Sequence, residues 1–193
     1  MIPTINIAAL FDADSRPGHA LVATDLAVFE AATTLGFMTI TGLPHKADID
    51  ASAKQTLTTL FNLSADEQRR LWKRNFEPDN PNLYRGWFPL HSGPTLSREG
   101  FEIGPDVIRS LPNPTEDVLL EPTPWPSGTA LPQFRTVAGR YYAAMETIGA
   151  ALLASLSRGL GITPTLFRDA FTEGISTLRL LRYIPRHDLP IND

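Results

Sequence analysis

Cysteine is absent from all 193 residues, so neither a disulfide framework nor a thiolate metal site is available. That fits a reducing compartment and makes the cytoplasm the default location. No apolar run approaches the roughly 20 residues of a membrane span. Met1-Ile2-Pro3-Thr4-Ile5-Asn6 also lacks the basic stretch followed by an apolar one that marks a secretory signal. No membrane partner is expected. A basic stripe is missing as well: the net charge is −4, and Arg69, Arg70, Lys73, Arg74, Arg135 and Arg140 are scattered, so no nucleic-acid partner is expected either. No internal repeat is visible. What remains is length enough for one domain burying roughly 70% of its unfolded surface, or for the larger part of a bigger one.

Periodicity organises the first third. Val22, Leu26, Phe29 and Thr33 form one stripe of an amphipathic helix over Val22–Leu35, and Gly36 ends it as a residue free to take positive φ. Phe37-Met38-Thr39-Ile40-Thr41 then reads as a short strand closed by Gly42. A second helix is expected over Ile49–Asn62 with Ile49, Ala53, Leu57, Leu60 and Phe61 buried. Ser64-Ala65-Asp66-Glu67 is a capping box opening a third helix through Trp72.

Between Glu77 and Pro132 the chain gathers most of its prolines and no helical or strand period persists. A disordered linker is one reading of such a stretch. The other is an ordered, irregular covering segment, favoured because Tyr84, Trp87, Phe88, Phe101, Ile103, Val107, Ile108 and Trp125 lie within it and disordered segments are poor in aromatics. Arg98–Gly104 is expected to supply a short strand.

The longest helical pattern runs over Pro132–Leu160, where Phe134, Ala138, Tyr141, Met145, Ile148, Leu152, Leu156 and Leu160 keep a helical spacing and are expected to face a core. Thr163-Pro164 restarts the chain as N-cap and first-turn proline of a short helix carrying Leu166, Phe167, Ala170 and Phe171. The last element, Ile175–Ile184, reads as a strand. Alternation places Ile175, Thr177, Arg179, Leu181 and Tyr183 on one face and Ser176, Leu178, Leu180, Arg182 and Ile184 on the other. Apolar residues on both faces, with an arginine on each, suit a strand covered on one side and facing a polar cavity on the other.

Six segments in order carry a resemblance: Ile2-Pro3-Thr4-Ile5-Asn6, Gly36-Phe37-Met38-Thr39-Ile40-Thr41-Gly42, Tyr84-Arg85-Gly86-Trp87, Glu99-Gly100-Phe101-Glu102-Ile103-Gly104, Trp125-Pro126 and Leu178-Arg179-Leu180-Leu181-Arg182-Tyr183. Together, and spread over nearly the whole chain, they resemble the Fe(II)/2-oxoglutarate-dependent oxygenases of the isopenicillin N synthase-like type. The resemblance implies an α+β fold in which a helical N-terminal region packs on a double-stranded β-helix, or jelly roll, of which this chain holds only the first strands. As one domain over 1–193, it would comprise helix-strand-helices (1–76), the irregular covering segment (77–131), scaffold helices (132–174) and a jelly-roll strand (175–184).

The resemblance also implies an oxidoreductase acting on a small molecule. Its Fe(II) would be held by a His-x-Asp pair and a distant histidine, with positions left open for 2-oxoglutarate and dioxygen. By that comparison the triad would follow the strand at Ile175–Ile184, so it is expected beyond Asp193. No metal ligand is assigned within the chain, and no cofactor binding or activity is expected of it alone. His187-Asp188 are adjacent and in an extended segment would point to opposite sides, while His19, His45 and His91 are isolated. Three residues remain as candidates for contact with substrate or co-substrate. By resemblance the face bearing Arg179 and Tyr183 looks into the barrel, where a guanidinium could pair with a carboxylate and a phenol could donate a hydrogen bond. The plain alternative makes Arg179 a surface residue and Tyr183 a core aromatic. Arg85 sits where the family brings a loop near the substrate entrance, the alternative being a solvated loop arginine. A strand cut off from its jelly-roll neighbours would leave an unpaired edge through which the chain could self-associate. The rival to the oxygenase is a stand-alone, non-catalytic helical docking domain derived from the same family.

Overall fold

The computed structural model describes residues 1–12, 18–44, 49–90, 98–111 and 117–183. In chain order these form β1 (Thr4–Asn6), α1 (His19–Thr34), β2 (Thr39–Thr41), α2 (Ala51–Thr58), α3 (Ala65–Arg70), β3 (Gly86–Phe88), β4 (Arg98–Ile103), α4 (Phe134–Gly159), α5 (Thr165–Phe171) and β5 (Leu178–Tyr183). Both element types are present in the α+β manner expected. Two units organise them: Met1–Asp50 with Ala143–Gly174, and Ala51–Tyr142 with Ile175–Asp193, so that α4 contributes to each. Among the described residues no helix is long and apolar enough to cross a membrane.

In the first unit β1 and β2 pair in parallel, Ile5 opposite Ile40, and the Ile7 N–H extends the ladder to Thr41 O at 2.9 Å. Gly36 follows α1 with φ of 73° and returns its N–H to Ala31 O at 3.0 Å, the left-handed exit its position suggested. The buried face of α1 differs from the expected stripe. Thr24, Asp25, Val28 and Ala31 are inside, while Val22 and Leu26 are exposed. Helical spacing alone allowed two faces. Asp25 settles the choice because α4 supplies the groups that satisfy its carboxylate, making its burial tolerable. Helix α5 buries none of its residues, and Leu166 and Phe171 are more than half exposed.

In the second unit, the helical segment over Ala51–Asn62 tightens to a 3-10 turn at Thr59–Asn62 and buries Ala53, Leu57, Leu60 and Phe61, as its period required. The Ser64 hydroxyl accepts from Glu67 N–H at 3.3 Å and caps α3, which stops at Arg70. The sheet runs in the order β3-β4-β5, antiparallel throughout, with Trp87 opposite Phe101, Phe101 opposite Leu180, Glu102 opposite Arg179 and Glu99 opposite Arg182. The outer side of β3 is bridged: Trp87 N–H donates to Leu71 O at 2.7 Å and Lys73 N–H to Trp87 O at 2.9 Å. One sheet face meets the core. Phe61, Trp87, Phe101 and Phe134 pack edge-on in a chain with ring centroids 5.4, 6.4 and 6.3 Å apart.

The stretch expected to cover the fold is, where described, ordered and supplies both β3 and β4. Strand β3 has only three residues, too few for alternation to reveal. Strand β5 is described over Leu178–Tyr183, shorter than the expected Ile175–Ile184, of which Ile184 lies outside the described residues. Helix α4 matches its expected length, but not its whole stripe. Phe134, Val137, Ala138, Tyr142, Ala144 and Ile148 are buried whereas Met145 is 41% exposed. A helix serving two units buries different sides along its length, so one uninterrupted stripe does not describe it.

Candidate functional site

Pleating divides the side chains of the three-stranded sheet. Leu178 and Leu180 join Trp87, Phe101 and Ile103 on the core side. Arg179, Leu181 and Tyr183 share the opposite face with Glu102, Gly100 and Arg98, their counterparts in register on β4, and with Phe88, which lies opposite Gly100 on β3. At the centre of that second face stands Glu102, whose side chain is 3% exposed. Lys73 Nζ donates to its Oε2 and Arg179 Nη2 to its Oε1. A carboxylate this deep would be costly without compensation, and two cations supply it.

Phe88 completes the arrangement. Its ring centroid lies 5.5 Å from Lys73 Nζ and 6.0 Å from Arg179 Cζ, and the Tyr84 ring lies 5.7 Å from Lys73 Nζ. The Phe88 ring fits here because Gly100 has no side chain: a Cβ there would run into that ring and sit 2.8 Å from Leu181 Cδ2. Two cations against one carboxylate leave the cluster one positive charge in excess. Lys73 is 14% exposed and Arg179 48%, so the guanidinium presents that charge to solvent. Tyr183 and Leu181 continue the face, 56% and 37% exposed.

Arg85 is fully buried rather than solvated. Its Nη1 donates to Thr177 Oγ1 and its Nη2 to Leu119 O at 3.2 Å and Ile175 O at 3.4 Å, while Nε has no hydrogen-bond partner among the described residues. The loop carrying it is held by Glu121, whose carboxylate accepts the backbone N–H groups of Leu83, Tyr84 and Arg85. The structure thus brings Arg179 and Tyr183 onto one face, as alternation suggested. It ties Arg85 to the segment entering β5, with the Tyr84 ring 4.9 Å from its Cζ. Sequence reasoning missed Lys73, Phe88 and Glu102. One signal was available: glutamates at 99 and 102 and arginines at 179 and 182 have the same spacing and pair in antiparallel register.

Hydrogen bonding to Asp25 raises the Arg158 pKa above its ordinary value, burial opposes this, and the charge of Asp25 adds to it. Among the described residues no three His, Asp or Glu side chains converge on a point that could hold a metal. This donor set does not fit an iron triad. His45, His91, His187 and Asp188 lie outside the described residues, and His19 opens α1.

No protein-family model matches the chain. It is 28% identical over 195 residues to the 2-oxoglutarate-dependent dioxygenase traH of Penicillium crustosum, covering 96% of this chain and 56% of that protein. To a 2-oxoglutarate-Fe(II) type oxidoreductase of Aspergillus fumigatus it is 28% identical over 198 residues, covering 99% of this chain and 56% of the relative. Its backbone superposes on a full-length Neurospora crassa protein, crystallised with alpha-KG and thymine, at a TM-score of 0.72 and 19% identity, covering 94% of this chain and 55% of the other. The chain therefore spans about half the length of the curated relatives it matches. The resemblance to 2-oxoglutarate-dependent oxygenases holds over nearly its whole length, and the fold is that of the matching part of such a protein.

Proposed function

We propose that this chain is the front part of a cytoplasmic non-haem Fe(II)/2-oxoglutarate-dependent dioxygenase acting on a small molecule. The iron triad would lie beyond the part of the family fold that the chain covers. The observation that carries the reading is the agreement of fold: the backbone superposes, over 94% of this chain and at a TM-score of 0.72, on a protein crystallised with alpha-KG and thymine. In this reading Arg179 and Tyr183 meet the substrate or co-substrate from β5. Arg85 acts from behind, holding the segment that leads into that strand. When bound, iron and 2-oxoglutarate would supply the oxidising chemistry, and the residues described here would bind and orient what is oxidised.

The test is an anaerobic titration with Fe(II) and 2-oxoglutarate, followed by assay of succinate formation in air. Both would be run on the 193-residue chain and on whatever longer polypeptide its reading frame encodes. The expected result is no visible charge-transfer band from the 193-residue chain and a stoichiometric band with turnover from the longer product. A band from the 193-residue chain alone would overturn the location of the triad. No band and no turnover from any product of the frame would overturn the oxygenase reading and favour the docking domain.

A further inference from the structure

We infer that Lys73, Glu102 and Arg179 form a subsite for the carboxylate of a flat, largely apolar substrate, with Glu102 as the positioning residue. This deepens the oxygenase reading, on which its biological meaning rests, by naming the substrate class. Glu102 is almost wholly buried, and each of its oxygens holds one cation. Holding them together suits an anion more than either cation alone would, because the fork is set before the ligand arrives and little side-chain entropy is then lost. The surplus positive charge reaches solvent through the half-exposed Arg179 guanidinium. Phe88, Leu181 and Tyr183 give the same face an apolar surround against which a ring can lie. Among the described residues no carboxylate other than Glu102 is paired with Lys73 or Arg179.

The probes are benzoate, its neutral analogue benzamide, and 2-oxoglutarate, titrated without iron into the 193-residue chain while NMR follows the backbone amides of Lys73, Phe88, Gly100 and Arg179. Benzoate is expected to shift these amides saturably, benzamide to bind at least about tenfold more weakly, and R179Q to weaken benzoate by a similar factor. R168Q, on exposed α5, should change nothing. E102Q separates a built fork from a merely positive surface: it adds net positive charge, so a diffuse field would tighten benzoate, whereas loss of the positioned pair weakens it. If E102Q fails to fold, R179Q, whose side chain is half exposed, still decides the question. Equal binding of benzamide, an equal effect of R168Q, tighter benzoate in E102Q, or 2-oxoglutarate preferred over benzoate at these amides would each overturn the inference. None of these outcomes touches the iron and turnover assay, so the two readings can fail separately.

Discussion

Arg158, in the last turn of α4, grips Asp25 of α1 from two nitrogens: Nε reaches Oδ2 at 2.6 Å and Nη2 reaches Oδ1 at 2.8 Å. Ser155 Oγ adds a third donor at 2.7 Å, so the carboxylate is satisfied where it is buried. From sequence alone Arg158 would pass for one more charge on the solvent side of a helix. Removing it strands a buried carboxylate. Arg158→Ala is therefore expected to cost about 2–4 kcal/mol, toward the low end for a broken buried pair because the guanidinium is one-third exposed. Chemical denaturation checks it, and a loss under about 0.5 kcal/mol would mean the pair contributes no more than a surface bridge.

The same contact sets a pH expectation. A raised folded-state pKa means the group stabilises fully below its unfolded pKa and stops doing so only as pH passes the folded value. For an arginine both values lie far above neutrality, so the penalty of Arg158→Ala should be constant between about pH 6 and about pH 9. Melts at several pH values would show a drift if another titrating group controlled it.

On α4, Ile148 is 3% exposed and Met145 41%, although the spacing placed them on one stripe. Ile148→Ala is expected to destabilise by about 2–5 kcal/mol through lost transfer energy and a residual cavity. Met145→Ala should stay within about 0.5–1 kcal/mol. Equal losses in urea would contradict the assigned faces.

Gly100→Ala tests the close approach beneath the candidate site. The new methyl meets the Phe88 ring and sits 2.7 Å from Leu180 O, so strand or ring must move. Overpacking of this kind costs about 1–3 kcal/mol. The amides of Phe88 and Leu181 should shift more than those of α1, and NMR spectra in which they do not would show that the added methyl meets neither the ring nor the strand.

Strand β5 closes the sheet on one side only: β4 pairs with it, and among the described residues no strand pairs with its other edge. The 193-residue chain is therefore expected to self-associate through that edge, and β5 amides to exchange faster than those in the middle of α4. Light scattering coupled to size exclusion, with hydrogen exchange on the same sample, reads both. A monomer with a fully protected β5 would shift the balance toward the stand-alone domain.

Much of this architecture is local and therefore legible in sequence. The Ser64 cap, the glycine exit at Gly36, the buried side of the helical segment after Ile49 and the strand at Arg98–Ile103 each depend on neighbours within a turn or two. So does the alternation that set Arg179 and Tyr183 together. Tertiary structure decided what depends on partners far along the chain. Asp25 could turn inward only because Arg158 and Ser155 meet it, which put Val22 and Leu26 outside. Arg85, a loop residue in sequence, became a buried anchor through Thr177 and the Leu119 and Ile175 carbonyls. Lys73 joined the candidate site because pairing of Leu71–Lys73 with β3 carried it to Glu102. Burial of a charge is a property of the pair, and a one-dimensional pattern displays each member without showing which other residue will satisfy it.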